Sequence, residues 1–165
     1  HGAGGGGAVG CANLIDDDWL WGGTLSDIEQ TIAHGIRNDD ADSHQGPMPA
    51  WGNGGGLDAG QIVTVANYVR SLSGLETEKD ADLKAGAEIF ANNCASCHGP
   101  DGKGNREFGA PNLTDSVWLY GSGMPALVKT ITFGRAGSMP AWGERLDPTT
   151  IKALALFVHS LGGGE

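Results

Sequence analysis

The chain repeats itself, and that repeat constrains its fold more than any other feature. From His1 it reads HGAGGGG, then Asn13-Leu14, DDWLWGG (Asp17 to Gly23), HGI (His34 to Ile36), MPAWG (Met48 to Gly52), LDAGQI (Leu57 to Ile62) and NYVRSLSG (Asn67 to Gly74). From His98 it reads HGPDGKG, Asn112-Leu113, SVWLYG (Ser116 to Gly121), FGR (Phe133 to Arg135), MPAWG (Met139 to Gly143), LDPTTI (Leu146 to Ile151) and LFVHSLGG (Leu156 to Gly163). The same landmarks in the same order mean a tandem duplication of one small module. The stretch from Leu75 to Asp82 is charged and follows Gly74, so it reads as an exposed linker. The expected organisation is a first module at 1–75, a linker at 76–82 and a second module at 83–165.

Apolar spacing predicts helices in each module. Leu83, Ala87, Phe90 and Ala91 recur at helical intervals over Leu83 to Asn93. Ile62, Val65, Val69 and Leu72 do so between Asp58 and Leu72, and Ile151, Leu154, Phe157, Val158 and Leu161 between Asp147 and Leu161. Asp147-Pro148 supplies an N-cap and a first-turn proline. Further helices are expected over Ser26 to His34 and Pro125 to Phe133, and the glycine-rich remainder reads as loop. No counterpart of the Leu83 to Asn93 helix precedes His1, so the helix from Asp58 to Leu72 is expected to lack its covering element. The first module of this chain is then expected to be loosely folded, while Phe90 should meet Leu156 or Phe157 in the second.

At 165 residues two such modules lie near the lower limit of what an apolar core stabilises alone, and a bound cofactor would help them fold. Twenty acidic against ten basic residues give a formal charge of -10. That balance disfavours nucleic acid as a partner and suits steering of a basic protein. No apolar run reaches the roughly 18 to 20 residues that span a bilayer. Cys11, Cys94 and Cys97 make an odd count, unlike a disulfide framework.

Cys94-Ala-Ser-Cys97-His98 is the C-x-x-C-H pattern of c-type haem attachment. Two thiols at this spacing add to the two haem vinyl groups, and the next imidazole is brought under the iron. A redox C-x-x-C pair belongs after a strand, and a zinc site needs a second Cys or His pair, which the chain lacks. An electron-carrying haem takes a second strong axial ligand, and a thioether raises its potential. Met139, stiffened by Pro140 in a polar, glycine-rich loop, is the expected partner of His98; Met124 is the rival, without a counterpart in the first module. The repeat makes His1 and Met48 the axial pair of a first haem. His34, His44 and His159 lack repeated partners and read as solvated or locally bonded, with a reservation for His44, four residues before Met48. The pairs Trp19/Trp118 and Trp51/Trp142 read as pocket or core packing, their indole N–H groups within reach of a haem propionate. Arg106 and Arg135 are also suited to propionates, although a surface position is the default for arginine.

The runs DDDWLWGGTL, IFANNCASCHG, FGAPNLTD and GRAG.MPAWG.RLD, together with the closing FVHSLGGGE, resemble the periplasmic part of the dihaem cytochrome c subunit of cbb3-type cytochrome c oxidases. The resemblance covers essentially the whole chain. It implies an all-α fold of two tandem class I cytochrome c domains, the first incomplete, with two haem c groups in the intact protein and one complete attachment motif here. It also implies an N-terminal membrane anchor missing from this chain and a place on the periplasmic side of a bacterial inner membrane. The expected partners are a donor cytochrome c and the oxidase's monohaem and catalytic subunits. Cys94, Cys97, His98 and Met139 match the family's second site; His1 and Met48 match the first, whose cysteines would lie upstream of residue 1. Pro111 is implied as the carbonyl acceptor for His98, and Ala12, at the equivalent place, as a less constraining one for His1. The chain is thus expected to carry electrons without catalysing a reaction itself. The alternatives are a dihaem peroxidase-like enzyme, which needs a displaceable axial ligand, another periplasmic dihaem carrier, and a gas-sensing or haem-storage module.

Overall fold

The helices begin where the sequence supplies side-chain caps. In the computed structural model, which describes residues 1–52 and 54–165, a short 3-10 turn at Ala3–Gly5 precedes six α-helices. Helix α1 (Leu25–His34) opens on a capping box between Thr24 and Asp27, and α2 (Ala59–Leu72) on one between Asp58 and Gln61. Asp82 caps α3 (Leu83–Asn93), the four-residue α4 (Ala95–His98) follows directly, and Asp147 caps α6 (Pro148–His159). Helices α1 and α5 (Met124–Phe133) both stop at a glycine with positive φ, Gly35 at 70° and Gly134 at 68°. The fold is all-α: the described residues hold only isolated bridges between extended segments.

Two compact units form, and they are interleaved rather than consecutive. One comprises His1–Pro47, Arg106–Gly109 and Ala136–Glu165; the other comprises Met48–Asn105 and Ala110–Arg135. The expected division at residues 76–82 therefore does not mark the boundary between them. That segment instead connects α2 to α3 inside the second unit, where the two helices pack on each other. Loop closure explains part of this choice, because a ten-residue connection brings neighbouring helices together at small entropic cost. The connection is also tied down: Glu78 accepts from Asn67 Nδ2 at 2.9 Å and donates its N–H to Asn67 Oδ1 at 2.9 Å, while Arg70 Nε donates to the Glu76 carbonyl at 2.8 Å.

The core of the second unit is Leu57, Ile62, Val65, Ala66, Val69, Phe90, Leu127 and Ile131. Phe90 is 1% exposed and lies 5.5 Å, centroid to centroid, from Tyr68 of α2. It thus meets α2 rather than Leu156 or Phe157, both of which face water. Gly86 marks the closest approach of α3 to α2: a Cβ there would stand 2.6 Å from Tyr68 Cβ and 2.8 Å from the Thr64 carbonyl oxygen. The apolar face of α2, expected to be bare, is covered. In the first unit α1 packs on α6, and the buried residues Ile28, Ile151 and Ala155 mark that contact.

Candidate functional site

The C-x-x-C-H segment sits where α3 hands over to α4. Cys94 ends α3 and starts α4, so Cys97 and His98 follow within one helical turn: the N–H groups of Cys97 and His98 both return to the Cys94 carbonyl, at 3.2 and 3.0 Å. Among the described residues no cysteine forms a disulfide. Burial, reinforced by Cys97 nearby, pushes the Cys94 thiol up to about 11. Burial holds the His98 imidazole below its ordinary pKa, against the opposing bond to Pro111. Its Nδ1 is 3.0 Å from the Pro111 carbonyl oxygen, the acceptor expected from sequence. A ligating histidine needs this arrangement, because the backbone acceptor fixes the tautomer and the ring plane.

His1 reproduces that bond. Its Nδ1 lies 2.8 Å from the Ala12 carbonyl oxygen, so the backbone carbonyl at the place of Pro111 accepts there as well. The surrounding loops match bond for bond. Gly7 N–H donates to His1 and Gly104 N–H to His98; Leu14 N–H donates to Gly5 and Leu113 N–H to Gly102; paired bonds link Ala8 with Cys11 and Asn105 with Ala110. Cys11 therefore occupies the place of Ala110, exposed and away from any C-x-x-C geometry.

The methionines are distributed otherwise than expected. Met48 belongs to the unit of His98 and Met139 to the unit of His1. Met48 packs against the same cluster as Cys94, Leu113, Trp118 and Met124. Its backbone exchanges two hydrogen bonds with Arg135, at 2.8 and 3.0 Å, just as Met139 does with Ile36, at 2.8 and 2.9 Å. Past each methionine, Trp51 and Gly52 donate to Ile131 and Thr132 in one unit, and Trp142 and Gly143 to Ala33 in the other. The Met-Pro-Ala-Trp-Gly loop of each module thus packs on the helix that precedes the other module's loop. Met124, at the start of α5, contacts the same cluster as Met48, whereas its repeat position in α1 is Leu25.

The second unit holds a buried donor without an acceptor. Among the described residues, the indole N–H of Trp118 is the one buried side-chain N or O atom with no hydrogen-bond partner, and such a group is costly unless something accepts it. Its repeat partner Trp19 donates to the Gly163 carbonyl. An acceptor such as a haem propionate would satisfy Trp118, and with two thiols, an imidazole and a thioether in one unit the donor set fits haem c. The remaining histidines are locally bonded, as expected: His34 Nδ1 lies 3.1 Å from Asp40, His44 Nε2 3.0 Å from Thr31 Oγ1, and His159 Nε2 3.1 Å from the Glu165 carbonyl oxygen. Arg106 pairs with Glu165.

Residues 81–158 match the family model described as cytochrome c oxidase, cbb3-type, subunit III. All 165 residues align at 62% identity with the cbb3-type oxidase subunit FixP of Bradyrhizobium diazoefficiens, and at 61% with FixP of Azorhizobium caulinodans. The whole chain also aligns at 51% identity with the CcoP subunit of Cereibacter sphaeroides. The chain belongs to the cbb3 subunit III family. It spans 57% of the length of the Bradyrhizobium relative. No helix among the described residues is long and apolar enough to cross a membrane.

Proposed function

We propose that this chain carries electrons through two c-type haems in a cbb3-type terminal oxidase, on the periplasmic side of a bacterial inner membrane, and catalyses no reaction of its own. Cys94, Cys97, His98 and Met48 would hold one haem, and His1 and Met139 would hold the other. The axial pairs are thus crossed between the two modules. One observation carries this reading: each compact unit combines one histidine whose Nδ1 is committed to a backbone carbonyl with one methionine from a Met-Pro-Ala-Trp-Gly loop. Met48 is preferred to Met124 for His98 because only Met48 recurs in the repeat.

The haem supplies reversible one-electron exchange between ferric and ferrous iron; the protein supplies ligands, burial and a docking surface. The carbonyls of Pro111 and Ala12 orient the imidazoles, and the paired bonds of Met48 with Arg135 and of Met139 with Ile36 fix the backbone of each thioether ligand. With a histidine and a methionine each assigned to hold a haem, a peroxide would find no ligand position, which disfavours the peroxidase alternative. The expected donor is a basic cytochrome c, drawn by the net charge of -10, and the acceptors are the monohaem and catalytic subunits.

The test is Met48→Ala in the full-length subunit. It should leave both haems covalently bound, abolish the sulfur-to-iron absorption of the His98 haem and lower that haem's potential, while Met139→Ala does the same to the His1 haem. Loss of the His98 signature in Met139→Ala would restore the uncrossed pairing, and its loss in Met124→Ala would transfer the ligand role there.

A further inference from the structure

Residues from non-equivalent positions fill one equivalent place in the two units. In the second unit the Arg135 guanidinium lies 3.8 Å from the centroid of the Tyr120 ring and donates to Thr130 Oγ1 from Nε at 3.1 Å and from Nη2 at 2.7 Å. In the first unit the His44 ring stacks on Trp21, with centroids 4.5 Å apart and planes 16° from parallel, and its Nε2 meets Thr31 Oγ1 at 3.0 Å. Trp21 and Tyr120 are repeat partners, and so are Thr31 and Thr130. His44 and Arg135 are not, because the repeat places Ile36 opposite Arg135. Both residues nevertheless flank the extended segments at the methionines. Arg135 bonds directly to Met48, and His44 runs parallel to Ile36, which bonds to Met139.

Resting on the haem reading above, we propose that this place tunes the reduction potential of each haem: Arg135 provides a permanent positive charge beside the His98 haem, and His44 a protonatable one beside the His1 haem. Positive charge near an iron favours its ferrous form, since reduction removes one unit of positive charge from the centre. The His98 haem therefore holds its potential across pH. Reduction at the His1 site would be coupled to protonation: as the donor supplies one electron to the haem, the imidazole of His44 would take up one proton from solvent. A hydroxyl both donates and accepts, so the bond to Thr31 is available to either protonation state.

The surroundings of His44 set where this coupling acts. Asp27 and His34 on α1 face it electrostatically, His34 being paired with Asp40, and Arg37 lies 5.9 Å from the same Trp21 ring. Burial holds the His44 pKa below the ordinary 6.5, with the Asp27 carboxylate opposing the shift and His34 adding to it. Imidazolium raises the potential at acid pH, so the potential falls as pH rises through the lowered pKa and levels off above it. Among the described residues no carboxylate forms an ion pair with Arg135, so its charge is not cancelled locally.

The experiment is a spectroelectrochemical titration of both haems in the full-length subunit over a pH series, with the two signals assigned through Met48→Ala. The His1 haem should show a potential that declines with pH on the acid side of 6.5, and the His98 haem a flat profile. His44→Gln should abolish the slope. Arg135→Gln should lower the potential of the His98 haem at every pH, and Arg135→His should give that haem a slope of its own. Haem content and the sulfur-to-iron absorption report folding and ligation separately, so loss of either in a variant marks failure of the haem reading rather than of the tuning. A slope that persists in both His44→Gln and His44→Arg with both haems intact, or an unchanged potential in Arg135→Gln, would overturn the proposal.

Discussion

Helices α2 and α6 are repeat copies of each other, yet among the described residues one is buried on two faces and the other on one. Ile62 of α2 and Ile151 of α6 are 3% and 4% exposed, so the face turned to the helix before the methionine loop is closed in both. The opposite face differs: Val65 is fully buried, whereas its counterpart Leu154 is 37% exposed and Phe157, opposite Tyr68, is 61% exposed. Helix α3 accounts for the difference, since Phe90 and Gly86 seat it on α2 and the described residues hold no such helix against α6. Amphipathic spacing therefore states that a face is apolar without naming the element that covers it. The sequence led to the expectation of a bare α2, and α3 covers it.

The contrast predicts unequal sensitivity to mutation. Phe90→Ala should give the largest effect, because truncating a fully buried phenylalanine costs about 3–5 kcal/mol. Phe157→Ala, at an exposed position, should stay within about 0.5 kcal/mol. Denaturant unfolding of the two variants checks this, and equal losses would mean that α6 is covered as α2 is. Next comes Gly86→Ala, which places a methyl group against Tyr68 and the Thr64 carbonyl and should cost about 1–3 kcal/mol as the helices separate. Amide exchange should then quicken in α2 and α3 but not in α1 or α6. A smaller asymmetry follows at Asn67, whose amide joins the Val63 carbonyl and Glu78 inside the second unit. Asn67→Ala should cost about 1–3 kcal/mol for the polar groups left unpaired, while Leu156→Asn at the repeat position, 57% exposed, should be close to neutral.

Much of the molecule was legible from residues alone. Helix positions followed from spacing and caps, as at Asp58 and Asp147, and the haem proposal rests on the C-x-x-C-H pattern of Cys94, Cys97 and His98. The exchange of partners was not legible, because the repeat equips both modules with the same Met-Pro-Ala-Trp-Gly loop and the same complementary helix. Met48 makes with Arg135 the bonds that Met139 makes with Ile36, and local pattern does not distinguish which copy serves which. The bond from His1 to Ala12 was hard to read for a different reason: the accepting atom is a backbone carbonyl, which residue identity does not reveal. The place shared by His44 and Arg135 escaped because the two residues fall out of register in the repeat. Only the matching threonines and aromatic rings, once brought together in space, expose it.

The finest distinction between the copies lies at their caps. Asp58 and Gln61 close a reciprocal box, with the Gln61 N–H donating to Asp58 at 2.9 Å and the Asp58 N–H donating to the Gln61 side chain at 3.0 Å. Asp147 works alone, accepting from the N–H groups of Thr149 and Thr150 and from the Thr150 hydroxyl at 2.6 Å. Those bonds, the Thr150 side chain first, hold its carboxyl below the ordinary 3.8. A carboxylate whose pKa is lowered by folding contributes stability above its unfolded value and loses it as pH falls through the folded one. The first turn of α6 should therefore open in acid below 3.8, visible as accelerated amide exchange at Ile151. Asp147→Asn should keep the cap while removing the acid dependence, because an amide oxygen accepts the same bonds without titrating. Asp147→Ala should open that turn at every pH. An acid response of α6 that survives in Asp147→Asn would assign the sensitivity to another group and remove this difference between the two helices.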